Sequence, residues 1–121
     1  MIIKRILIID DSPIARIILK KCIPMEYETM EADSGKTGLD VLTEFEPDLV
    51  FLDLTMPGMD GFETLERMKT VNADLPVVIL SADRQKASVS RILELGAWDS
   101  LKKPPSPEII RQTIKDIEGS R

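Results

Sequence analysis

The sequence predicts an α/β protein, a doubly wound parallel sheet of five strands with helices on both faces. Two observations predict it. Three short apolar runs do not alternate with polar residues: 6–9 (Ile-Leu-Ile-Ile), 49–52 (Leu-Val-Phe-Leu) and 77–80 (Val-Val-Ile-Leu). Such runs suit strands buried on both faces, as in a parallel sheet. Between them lie stretches with apolar residues at helical spacing, and strand–helix alternation calls for parallel pairing through right-handed crossovers. A length of 121 residues leaves room for one domain, which at this size buries about two-thirds of its unfolded surface.

The elements follow in order. The run 6–9 is the first strand. Ser12-Pro13 then caps and opens a helix, with proline at its first position, and Ile14, Ile17, Ile18 and Cys22 are read as its apolar stripe. Residues 27–32 form a more polar strand, expected at a sheet edge. Ser34 begins a second helix carrying Leu39, Leu42 and Phe45. After the strand 49–52, Gly61 precedes a third helix with Phe62, Leu65 and Met68 spaced by three. After the strand 77–80, Asp83 opens a fourth helix that ends near Ile92, Leu93 and Leu95, with Gly96 as its stop. Residues 99–102 form the second edge strand. Ser106-Pro107 repeats the cap-plus-proline signal ahead of Ile109, Ile110, Thr113, Ile114 and Ile117.

Composition narrows the function. Sixteen Lys and Arg against twenty-one Asp and Glu leave a net charge of −5, which argues against direct nucleic-acid binding. The absence of histidine excludes Ser-His-Asp triads, His-ligated zinc and a phosphohistidine on this chain. The single cysteine, Cys22, forms no internal disulfide and points to a reducing compartment. The N-terminal segment is interrupted by Lys4 and Arg5 and does not read as a signal peptide. No apolar run approaches the roughly 18 residues of a membrane span. The expectation is a cytoplasmic protein without membrane insertion.

In open parallel sheets, ligands bind at the carboxyl ends of the strands. The residues there are Asp10 and Asp11 after the first run, Asp53 after 49–52, Ser81 after 77–80, and Lys102, Lys103 and Pro104 after the last strand. Three carboxylates, a hydroxyl and an ammonium would thus converge on one edge. Clustered carboxylates repel by roughly 1 kcal/mol per pair at 4 Å in water and by more at a protein surface, so a cation is expected to relieve them. Hard oxygen donors with open water positions favour magnesium, above all when a phosphate completes the shell. The set suits phosphoryl transfer, which depends on positioning and charge neutralisation.

Asp10-Asp11, Asp53 within the stretch 52–61 (Leu-Asp-Leu-Thr-Met-Pro-Gly-Met-Asp-Gly), Ser81-Ala82 and Lys103-Pro104 together resemble the receiver domain of two-component response regulators, of the stand-alone CheY-like type. The resemblance spans the whole chain. It implies a flavodoxin-like, CheY-like fold with strand order 2-1-3-4-5, and a single receiver domain over residues 1–121 with no output domain. It implies Asp53 as phospho-acceptor. Mg2+ would be bound by Asp10, Asp11, Asp53 and the backbone carbonyl of Thr55, and Mn2+ or Ca2+ could substitute in crystals. Ser81 and Lys103 would hold phosphoryl oxygens, with Lys103 and not Lys102 matched because it directly precedes proline. The resemblance also implies a cis bond at Pro104, and Thr55 and Asp83 as modulators of dephosphorylation rate. It departs at Ser100, where the family usually carries an aromatic ring that moves when the switch is thrown.

The implied activity is a phosphorylation-dependent signalling switch. The phosphoryl donor would be a sensor histidine kinase or phosphotransfer protein, and the output a changed affinity for a downstream protein. Such a domain catalyses only its own phosphorylation and dephosphorylation. Two alternatives compete. A phosphorylation-independent interaction module on the same fold draws support from Ser100. A Mg2+-dependent phosphohydrolase lacks the usual second aspartate, since Thr55 stands two residues after Asp53. A flavodoxin is disfavoured by the acidic first loop, which would repel a phosphate, and a P-loop NTPase by the missing Gly-x-x-x-x-Gly-Lys motif.

Overall fold

The computed structural model describes residues 2–54, 61–82 and 86–120. Among them the chain alternates β1 (Arg5–Ile9), α1 (Pro13–Cys22), β2 (Glu28–Ala32), α2 (Gly35–Phe45), β3 (Leu49–Asp53), α3 (Gly61–Val71), β4 (Val77–Ser81), α4 (Lys86–Glu94), β5 (Asp99–Lys102) and α5 (Pro107–Glu118). The five strands form one parallel sheet in the order β2-β1-β3-β4-β5, the order that the resemblance implies. Every residue of the central strands β3 and β4 is buried, which explains their unbroken apolar runs. The edge strand β2 buries only Ala32, which explains its polar composition.

Alternate side chains of β1, β3 and β4 feed two cores. Leu7, Ile9, Val50, Leu52, Val77 and Ile79 pack with Leu42, Phe45, Leu65, Met68 and Ile92 of α2, α3 and α4. Ile6, Ile8, Leu49, Phe51, Val78 and Leu80 pack with Leu19, Cys22, Ile110, Ile114 and Ile117 of α1 and α5. Each fully buried aliphatic side chain contributes about 1.5–3 kcal/mol. Ser12, Ser34 and Ser106 each accept a hydrogen bond from the backbone N–H three residues on, at 3.2, 3.1 and 3.2 Å, capping α1, α2 and α5. Gly96, at φ 100°, provides the left-handed turn that ends the α4 segment, with Ala97 N–H donating to the carbonyl of Ile92.

Several expectations shift. Tyr27 precedes β2 instead of opening it; its N–H closes a turn to the Pro24 carbonyl and its hydroxyl donates to Glu118 on α5. In α1 the buried residues are Leu19 and Cys22, while Ile14 is 69% and Ile17 53% exposed. Residues 15, 19 and 22 fit helical spacing as well as 14, 17 and 18 do, and the sheet takes the former. Among the apolar residues of α4 and α5, Ile92, Ile110 and Ile114 are core and Leu93 and Ile109 are exposed, a mix of core and surface in keeping with the sequence. The expected start of the fourth helix at Asp83 lies outside the described residues.

Candidate functional site at the carboxyl edge of the sheet

Parallel pairing places the strand ends on one edge. Asp10 directly follows β1, Asp53 is the last residue of β3, Ser81 the last of β4, and Lys103 directly follows β5. Asp53 and Ser81 therefore each extend by one residue the strands drawn from apolar runs alone. The sheet carries them as ladder residues, with Asp53 paired to Leu80 and Ser81 to Lys102. Strand pairing, not loop packing, fixes their height above the core.

Carboxylate oxygens of Asp10, Asp11 and Asp53 lie within 4.8 Å of one another. Asp10 and Asp53 are buried and Asp11 is exposed. Lys103 Nζ enters this cluster, 2.6 Å from Asp10 Oδ2 and 3.3 Å from Asp53 Oδ1. The second Asp10 oxygen, Oδ1, accepts from Ser12 N–H at 3.0 Å. Burial pulls the Lys103 ammonium towards its neutral form. The hydrogen bond to Asp10 and the charges of Asp53 and Asp10 outweigh it, and the net shift is upward. The lysine is thus held charged between two carboxylates.

Ser81 is buried at the strand end, and its carbonyl accepts from Lys103 N–H at 3.0 Å. The Lys103–Pro104 bond is cis. Lys102 is exposed, while Lys103 turns inward. Ser100 is 2% exposed on β5, and its hydroxyl has no hydrogen-bond partner among the described residues. Thr55 and Asp83 lie outside the described residues.

Two contacts, one at the site and one between α3 and α4, leave no mark in the sequence. Arg16 Nη1 donates to the Asp10 carbonyl at 2.6 Å. Nothing in the sequence marks it, because its target is a main-chain atom. Arg91 of α4 stacks over the Phe62 ring of α3, 4.1 Å from its centroid. An arginine and an aromatic 29 positions apart give no local signal for that contact.

An acidic cluster with an inward lysine at the carboxyl edge of a 2-1-3-4-5 sheet is the arrangement of a class of signalling domains. The sequence profile of the response regulator receiver domain matches residues 6–115, and the chain belongs to that family. It is 39% identical over 116 residues to sporulation initiation phosphotransferase F of Bacillus subtilis, covering 95% of this chain and 94% of that one. It is 31% identical over 116 residues to the chemotaxis protein CheY of Thermotoga maritima, covering 94% and 97%. Among solved structures it resembles a CheY-like receiver domain protein from Methanospirillum hungatei, with a TM-score of 0.88 at 25% identity over 97% of this chain and 95% of that one. It also resembles a chain of the CheX–CheY–BeF3–Mg2+ complex from Borrelia burgdorferi, with a TM-score of 0.90 at 25% identity, covering 97% and 90%. Receiver domains are signalling modules of two-component systems, and the chain is the size of one that stands alone. No helix among the described residues is long and apolar enough to cross a membrane.

Proposed function

We propose that this chain is a phosphorylation-dependent switch. Asp53 accepts a phosphoryl group from a partner histidine kinase or phosphotransfer protein, and the modified domain changes its affinity for a downstream protein. The observation that carries this reading is the convergence of Asp10, Asp11 and Asp53 on the ammonium of Lys103.

The donor set fits a divalent cation. Three carboxylates offer hard oxygen atoms at one point, the chemistry that magnesium prefers. Asp10, Asp11 and Asp53 would hold it, with the Thr55 carbonyl as a further expected ligand. Bound there, the cation supplies charge neutralisation to the carboxylates and to the oxygens of the transferring group. The chain's own residues do the rest. An Asp53 carboxylate oxygen attacks phosphorus in line. The bond from phosphorus to the donor breaks, and its electron pair leaves with the donor, giving an acyl phosphate on Asp53. Lys103 neutralises the far side of the phosphoryl group, moving from its Asp10 contact towards the new oxygens. The Ser81 hydroxyl, at the adjacent strand end, holds a phosphoryl oxygen and reports its arrival by shifting. With Ser100 in place of an aromatic ring, that shift is transmitted by loop and backbone motion.

The reading is tested with a donor kinase or a small acyl phosphate, Mg2+ and the wild-type and Asp53→Asn chains. Acid-labile label on the wild type, absent from the variant, is the expected result, together with a change in partner affinity on labelling. Persistent labelling of Asp53→Asn would contradict it. Labelling without any change in partner affinity would favour a phosphorylation-independent interaction module, the reading to which the small side chain at position 100 lends support.

A further inference from the structure

Asp10 is held unusually tightly, and one of its anchors is not explained by the sheet. The β1–β2 ladder ends at the Ile9–Ala32 pair. Asp10 N–H still reaches the Ala32 carbonyl at 3.0 Å, but the Asp10 carbonyl lies beyond the ladder. A buried carbonyl without a partner costs about 1–3 kcal/mol. Arg16, on α1, fills the role, with Nη1 2.6 Å from that oxygen. The same guanidinium donates through Nε to Glu31 Oε1 on β2 at 3.0 Å. Lys20 Nζ stands 3.8 Å from the other Glu31 oxygen. The arginine is thus steered from one side and grips the Asp10 backbone on the other.

The grip bears on Asp11. The Asp10 carbonyl and the Asp11 N–H belong to one rigid peptide plane. Rotating that plane swings the Cα–Cβ bond of Asp11, and with it the carboxylate. Asp11 is exposed, so packing does little to aim it and the backbone must.

We infer that Arg16 is a positioning residue for the divalent-cation site, its guanidinium bridging the Asp10 carbonyl and Glu31 so that the Asp10–Asp11 peptide presents both carboxylates to one point. The inference rests on the reading of the acidic cluster as a cation site. The guanidinium meets the two oxygens through separate nitrogens, Nε and Nη1; a lysine keeps the charge but would have to meet both from one nitrogen, without the fixed planar spacing.

The test is a Mg2+ titration of the full chain, followed by the amide resonances of Asp10, Asp11 and Ser12, on wild type, Arg16→Ala, Arg16→Lys and, as a control, Arg67→Ala. Arg67 pairs with Glu63 on the surface of α3 at 3.1 Å and is expected to be neutral. Arg16→Ala is expected to weaken Mg2+ binding about tenfold or more, the size of effect seen when an outer partner of a metal ligand is lost. Its Asp53 labelling rate at saturating Mg2+ is expected to return close to wild type, a split that a general loss of folding would not produce. Arg16→Lys is expected to stay weaker than wild type, and it decides the question alone if the alanine variant does not fold. Wild-type affinity in either Arg16 variant overturns the bridging role. A wild-type chain that binds no Mg2+ overturns the site reading beneath it.

Discussion

Lys103 decides what the acidic cluster can do. Between Asp10 and Asp53, its ammonium lies close enough to hold two carboxylates that would otherwise repel. Its protonation is favoured in the folded state, because the partner carboxylates outweigh burial. A folded pKa above the ordinary 10.5 means that this stabilisation is complete below that value and is lost as pH rises through the folded one. Denaturant unfolding measured across the alkaline range should show stability falling above about pH 10.5 in the wild type, with a shallower fall in Lys103→Met. Equal slopes would show that the ion pairs are not formed in solution. Ser100 offers a second test. A buried hydroxyl without a partner carries a desolvation penalty of about 1–3 kcal/mol, so Ser100→Ala is expected to raise unfolding stability by about 1 kcal/mol. A loss of stability would mean that the hydroxyl has a partner after all. Asp10, Asp11, Asp53 and Ser81 were legible in the sequence because they follow apolar runs directly, and Lys103 because the resemblance picks the lysine before Pro104. Arg16 was not, since its hydrogen bond goes to a backbone oxygen that only the finished fold brings within reach.

At the scale of elements, the strand ends deliver the chemistry and the turns after them keep it in place. Gly61 opens α3, and its N–H donates to the Leu54 carbonyl at 3.0 Å. A β-carbon at Gly61 would collide with that same backbone carbonyl. Gly61→Ala is therefore expected to destabilise by about 1–3 kcal/mol, the usual result of forced overpacking, and to slow Asp53 labelling, since Leu54 adjoins the acceptor. Circular dichroism melts and labelling rates on one preparation check both; an alanine variant that melts and labels like wild type would contradict the steric argument. Strands β3 and β4 and the three serine-capped helices were readable because burial on both faces and local capping chemistry each leave a sequence pattern. The face of α1 was not, because two apolar stripes share one helix. Only tertiary packing selects Leu19 over Ile14 and Ile17, while Cys22 is buried as expected.

At the scale of the whole molecule, a net charge of −5 and a cluster of three carboxylates on one edge mean that the folded chain works against its own charge. A cation bound only by the folded form adds stability by mass action, about 2.7 kcal/mol at a hundredfold excess over its dissociation constant. Mg2+ is thus expected to raise the melting temperature of the wild type, and to do so less in Asp53→Asn, which loses a carboxylate ligand. Identical shifts in the two chains would place the cation elsewhere. The doubly wound architecture was legible from strand–helix alternation. The strand order came with the family resemblance, because alternation alone does not say on which side of β1 the chain turns back.

Where phosphate goes, and whether it needs a divalent cation to get there, decides whether Asp53 is the acceptor. The measurement is mass-spectrometric mapping of the wild-type chain after exposure to a small acyl phosphate, with Mg2+ and with chelator. One acid-labile phosphoryl group at Asp53, formed with Mg2+ and suppressed by the chelator, is the predicted result. Label on another residue, or labelling at Asp53 that the chelator leaves unchanged, would contradict it.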